Sequence, residues 1–148
     1  KLFARVPDPR RRAGAALVAR ACRIDRSPGA VYVGFNGRVP CTMNDLLTLP
    51  GVGRKTANIV LNHAYGINEG IAVDTHVRRV SVRIGFSSHP DPARIERDLM
   101  ALFPEKVWGD LNYLLIRHGR ATCTARNPRC SECPVHAYCA YFSRVQTC

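Results

Sequence analysis

No apolar run in the sequence approaches the roughly 18 residues that a membrane-crossing helix needs, so no membrane partner is expected. No secretory leader is expected either. The opening Lys1-Leu2-Phe3-Ala4-Arg5 is short, and Pro7 and Pro9 soon interrupt it. Internal repeats and low-complexity segments are missing, which argues against a repeat array or a disordered linker. Acidic residues are scarce: 11 Asp and Glu stand against 22 Lys and Arg, a net charge of +11. Such an excess favours a polyanionic partner, nucleic acid first and an acidic membrane surface second. The chain also lacks a starting Met, and it is expected to be a fragment.

What is present is enough for a core. Apolar residues make up 46% of the 148 positions, which suits one domain or two small ones sharing a groove. Cysteine is plentiful and odd in number, at seven, with four crowded between Cys123 and Cys139. A secreted protein more often spreads an even set. The crowding therefore argues for a metal centre in a reducing compartment: the cytoplasm or nucleoid, or a nucleus if the source is eukaryotic. Cys22, Cys41 and Cys148 stand outside the cluster and are read as spectator thiols.

Periodicity makes the chain essentially all-helical. Ala16, Leu17, Ala21 and Ile24 share one face of a helix over about Arg11–Ile24, and residues 30–40 read as a loop. The Arg10-Arg11-Arg12 run reads as a solvated face. Thr42 with Asp45 three residues on is a capping box for a short helix through Leu49. A second helix is expected from Arg54 to Tyr65, stopped by Gly66. Asp74 is placed to cap a helix over Thr75–Ile84, with Val77, Val80 and Ile84 inward and Arg78, Arg79 and Arg83 on other faces. Asp91-Pro92 opens another helix carrying Ile95, Leu99 and Leu102. A last one is expected over Glu105–Gly119, with Trp108, Leu111, Leu114, Leu115 and Ile116 apolar.

The organising stretch is Leu49-Pro50-Gly51-Val52-Gly53-Arg54-Lys55-Thr56-Ala57. Two glycines permit a tight reversal between two apolar helices, the pattern of a helix-hairpin-helix. Backbone N–H groups of Gly51, Val52 and Gly53 and the positive helix end would then hold a phosphate. Lys55 follows in the first turn. A nucleophilic lysine must lose its proton near neutral pH. Apolar packing, its own helix end and neighbouring Arg54 would all favour that. Spacing alone favours the simpler alternative, in which Lys55 binds a phosphate. Asp74 could stabilise positive charge on a sugar ring, or serve only as a helix cap; two carboxylate oxygens allow both. His76 and His118 read as packed residues with a hydrogen bond, not as catalysts.

The four cysteines follow the pattern Cys123-x6-Cys130-x2-Cys133-x5-Cys139. Such thiolates surround either one tetrahedral metal ion or a [4Fe–4S] cube. Zinc usually shows two Cys-x-x-Cys knuckles, and only Cys130 to Cys133 forms one. Arg126 and Arg129 flank Asn127-Pro128 in this loop and could reach a phosphate, or be ordinary solvated arginines.

The Gly51-Val52-Gly53 hairpin, Lys55, Val73-Asp74-Thr75-His76 and the four-cysteine spacing together resemble the endonuclease III family of DNA repair glycosylases. The resemblance runs from about Arg11 to Tyr141. It implies an all-α helix-hairpin-helix glycosylase fold, a partial helical barrel with a C-terminal iron–sulfur loop. Residues 1–68 would belong to the barrel and residues 69–148 to a helical cluster domain. It also implies a [4Fe–4S] cluster on Cys123, Cys130, Cys133 and Cys139, with zinc as the lesser reading, and a monovalent cation at the hairpin. Lys55 would be the nucleophile and Asp74 its partner. The protein would then be a monomer that removes oxidised pyrimidines from double-stranded DNA, flips the damaged nucleotide out of the stack, and cuts abasic sites by β-elimination. Two alternatives stay open. One is a mismatch glycosylase of the same superfamily that leaves the strand uncut, although that class lacks a lysine at this position. The other is a truncated, non-catalytic DNA-binding module. The family carries a longer N-terminal region that completes the barrel, and no counterpart is found here.

Overall fold

The computed structural model describes residue 35 and residues 39–146. The expected helix at Arg11–Ile24, the Arg10–Arg12 run, Cys22 and Cys148 lie outside the described residues, as does most of the connector at 30–40. Among the described residues there are helices and turns and no strand, as the all-α reading expects. Two compact units divide between Ala72 and Val73.

In the first unit, α1 spans Met43–Leu47 and α2 spans Arg54–Val60. Thr42 caps α1: its hydroxyl accepts the Asp45 N–H at 3.2 Å and donates to the Asp45 carboxylate at 2.7 Å. The Asp45 side chain thus returns to the cap's hydroxyl, a variant of the capping box. The helix stops at Leu47 rather than Leu49, because Leu49 is already turning into the hairpin and its N–H bonds the Leu46 carbonyl. Met43, Leu46, Leu49, Val52, Ala57, Val60 and Leu61 form one buried cluster, with Phe35, Val39, Tyr65 and Ile67 packed on it. Each fully buried leucine here contributes about 1.5–3 kcal/mol relative to exposure. The Tyr65 hydroxyl donates to the Val39 carbonyl at 2.5 Å and ties the preceding segment down. Past Val60 the helix continues to Tyr65, but Leu61–Tyr65 widens into a π turn before Gly66 ends it.

The second unit is built around α3, Thr75–Ile84. It packs against α4 (Pro92–Leu102), α5 (Trp108–Ala121) and α6 (Ala140–Gln146). Val77 and Val80 of α3 and Ile95 and Leu99 of α4 are fully buried, and Leu111 and Leu115 of α5 join them. The closest approach is at Gly119, where a Cβ would lie 3.1 Å from the Cβ of His76 and from a methyl of Val80. Any side chain there would make His76 or Val80 give way by a few tenths of an ångström, so glycine suits the close approach of α3 and α5. The segment expected as one helix from Glu105 begins as a 3-10 turn over Glu105–Val107, and α5 runs on to Ala121. One inward assignment is corrected, and two apolar helix positions prove exposed. Leu102 and Leu114 are 57% and 58% exposed, although Leu102 continues the i, i+4, i+7 spacing of Ile95 and Leu99. Ile84 is only half-buried and lines the cysteine pocket instead. The 3-10 turn His136–Tyr138 and α6 were not expected from periodicity.

Candidate catalytic residues and metal centre

The hairpin joins α1 to α2 through Thr48–Gly53. Gly51 holds φ at 79°, a left-handed conformation that side chains rarely adopt, so glycine is required by the turn itself. Gly53 is different. It is the N-cap of α2 with φ −95°, and a Cβ there would meet nothing within 4 Å. Packing among the described residues therefore makes no demand for glycine at 53. Val52 was expected to offer its N–H to a ligand. That N–H instead bonds the Leu49 carbonyl at 3.1 Å and the side chain is buried, so Val52 closes the turn.

Arg54 and Lys55 open α2, and both are exposed. The expectation that Lys55 packs against apolar residues is not met: Thr56 and Ala57, which follow it, turn inward, while Lys55 faces solvent at the helix end.

Asp74 caps α3 as its sequence position predicts. Its Oδ1 accepts the Val77 N–H at 2.8 Å, and the side chain is half-buried. One carboxylate oxygen is thus assigned to the helix end. His76, two residues on, is held by Arg79, whose Nη2 lies 3.2 Å from the imidazole Nδ1.

All four cysteines of the cluster line one pocket, together with Ile84, His118, Val135 and Phe142. None of the four is in a disulfide, and Cys133 and Cys139 are buried. Burial, and next the charge of the other three cysteines, pushes the Cys130 thiol up; the Arg83 guanidinium works in the opposite direction. Four thiols converging on one largely apolar pocket are the donor set of an iron–sulfur cluster. Among the described residues no three Cys, His, Asp or Glu side chains gather tightly enough for a single ion. His118 is half-buried, and burial pushes its imidazole down from the usual histidine range; its Nε2 lies 3.7 Å from the Cys133 sulfur.

The loop arginines divide. Arg126 is exposed. Arg129 is also exposed, yet its guanidinium bonds the Ala121 carbonyl and pairs with Glu132 at 3.9 Å. Sequence reading missed the two arginines that organise this loop. Arg79 donates to the Cys123 carbonyl at 3.1 Å and to the Gly119 carbonyl at 2.8 Å. Arg83 donates to the carbonyls of Thr124 and Ala125 at 2.6 and 2.9 Å. The signal was available: arginines four apart on one helix face the same direction.

Two family profiles match the chain. A helix-hairpin-helix motif matches residues 34–63, and the iron–sulfur binding domain of endonuclease III matches residues 123–139. The chain is 55% identical over 105 residues to endonuclease III of Synechocystis sp., covering 71% of this chain and 48% of that protein. It is 49% identical over 120 residues to endonuclease III of Treponema pallidum, covering 81% and 56%. The chain thus spans about half the length of the curated relatives it matches. A solved endonuclease III–DNA covalent intermediate superposes with a TM-score of 0.76 at 38% identity, over 84% of this chain and 59% of that one. A thermostable thymine-DNA glycosylase shares the fold at a TM-score of 0.65 and 24% identity, over 94% and 68%.

Proposed function

We propose that this chain, which has the hairpin and the iron–sulfur loop of the endonuclease III family, is the part of a base-excision repair enzyme that carries the nucleophile and the cluster. The reaction is glycosylase and lyase chemistry on double-stranded DNA with oxidised pyrimidines or abasic sites. Lys55 is the nucleophile. Its amine attacks the sugar carbon that bears the damaged base; the base leaves with the bonding pair, and a Schiff base forms with the opened sugar. Loss of a proton from the neighbouring sugar carbon then expels the 3′ phosphate, which nicks the strand. Asp74 stabilises positive charge developing on the sugar.

The observation that carries this reading is Lys55 at the exposed start of α2, directly behind the hairpin. An exposed amine is accessible to a sugar, and endonuclease III itself is known as a trapped covalent intermediate with DNA. Gly53 supports the DNA contact: among the described residues nothing lies within 4 Å of a Cβ there, and we read the open space as room for a phosphate approaching the backbone. The N–H groups of Gly51 and Gly53 and the Arg54 side chain would hold that phosphate, with a monovalent cation at the hairpin carbonyls. Arg126 and Arg129 would add salt-dependent affinity from the cluster loop. Cys123, Cys130, Cys133 and Cys139 would hold a [4Fe–4S] cluster whose part is structural, tying down a loop with little core of its own. The two units serve as barrel part and cluster domain, and the protein acts as a monomer inside the cell.

Borohydride reduction in the presence of an abasic duplex tests the assignment. The wild-type chain is expected to yield a covalent protein–DNA adduct, and Lys55→Gln none. Base release without any adduct would point to the monofunctional chemistry. Salt-dependent binding with neither base release nor adduct would reduce the chain to a DNA-binding module.

A further inference from the structure

The cluster site contains a cation that is not a ligand. Arg83 sits in the last turn of α3, and its side chain reaches the cysteine loop. Nη1 lies 3.5 Å from the Cys123 sulfur and 2.6 Å from the Thr124 carbonyl, while Nη2 reaches the Ala125 carbonyl at 2.9 Å. Tyr141 lies under the guanidinium, with the central carbon 4.8 Å from the ring centroid. The backbone carbonyl of the same residue lies 3.3 Å from the Cys139 sulfur. One residue therefore touches both the first and the last cysteine of the loop. Three of its contacts fix the side chain's direction, so the N–H aimed at sulfur is preorganised and not a passing contact.

We propose that Arg83 is a positioning residue of the metal centre, donating a charge-assisted N–H···S bond to the cluster-bound Cys123 thiolate and thereby raising the reduction potential of the cluster. The physical reason is charge. Four thiolates bring negative charge into an apolar pocket, and reduction adds one electron more. A cationic donor on one sulfur stabilises the reduced form more than the oxidised form, so its presence moves the potential upward. Arg79 is the internal contrast. It bonds the Cys123 and Gly119 carbonyls and meets the His76 ring nitrogen, and among the described residues none of its hydrogen bonds goes to sulfur.

The proposal rests on the cluster assignment and not on the DNA chemistry. The test uses the full chain, loaded with iron and sulfide. Iron and sulfide content is measured first, because a chain that takes up zinc and no iron overturns the cluster assignment itself. Loaded wild type, Arg83→Gln, Arg83→Lys and Arg79→Gln are then compared by redox titration of the visible absorption. Arg83→Gln is expected to disfavour one-electron reduction about tenfold, which is a drop of about 59 mV. Arg83→Lys, which keeps the charge and loses the fork, should fall between it and wild type. Arg79→Gln should loosen the loop, seen as faster loss of iron to a chelator, with the potential unmoved. Equal potentials in wild type and loaded Arg83→Gln would overturn the proposal and leave Arg83 a purely structural clamp. Should Arg83→Gln fail to load, Arg83→Lys decides: a potential equal to wild type overturns the proposal, and a lowered one supports it.

Discussion

Replacing Asp74 separates two roles that one carboxylate holds at once. Oδ1 accepts the Val77 N–H at 2.8 Å and satisfies one of the free donors at the start of α3. Removing an N-cap side chain costs about 1 kcal/mol, whereas Asp and Asn are nearly equal as caps. Asp74→Ala should therefore lower stability by about 1 kcal/mol. For a chain of this size that is a fall of roughly 3 °C in Tm. Asp74→Asn should stay within about 0.5 kcal/mol of wild type, because its amide oxygen makes the same bond. The chemistry should divide differently. If the second oxygen supplies negative charge to the sugar, both variants lose it, and base release should fall by roughly 100-fold or more in each. The assay pairs thermal unfolding of cluster-loaded protein with base release from a duplex holding an oxidised pyrimidine. Wild-type activity in Asp74→Asn would refute the catalytic role and leave a cap alone. An Asn variant as unstable as the Ala variant would refute the cap argument, and its activity loss would then report on folding.

The hairpin glycines should part company. Gly51→Ala forces a side chain into a left-handed φ of 79° and should cost about 1–2 kcal/mol, read by denaturant unfolding. Gly53→Ala meets no described atom within 4 Å, and as a change of N-cap residue it should cost no more than about 1 kcal/mol, while weakening binding to duplex DNA in a fluorescence titration. Gly119→Ala drives a methyl to 3.1 Å from His76 and Val80 and should destabilise the second unit by about 1–3 kcal/mol. Cys130→Ser should abolish the visible absorption and the iron content on metal analysis; a variant that keeps full iron would remove Cys130 from the ligand set.

What was legible in the sequence is what neighbouring residues decide among themselves. Thr42, Asp74 and Asp91 each cap the helix they precede, because a cap bonds an N–H two or three residues away. Gly66 and Gly85 end helices for equally local reasons. The errors arise where a third element decides. Leu102 and Leu114 fit a helical stripe on paper, yet no neighbour covers them enough to bury them. Lys55 stands between two apolar runs in sequence and faces water in space. Arg79 and Arg83 look like solvated charges on α3, and their partners lie about forty positions further along, at Gly119 to Ala125. Those two arginines change how α3 is understood. Its first turn is fixed by the Asp74 carboxylate, and its last turns are fixed to the cysteine loop by two guanidinium groups. The segment carrying the candidate carboxylate is thus the same rigid helix to which the metal centre is fastened. A cluster held by the four cysteines would then brace the second unit through α3.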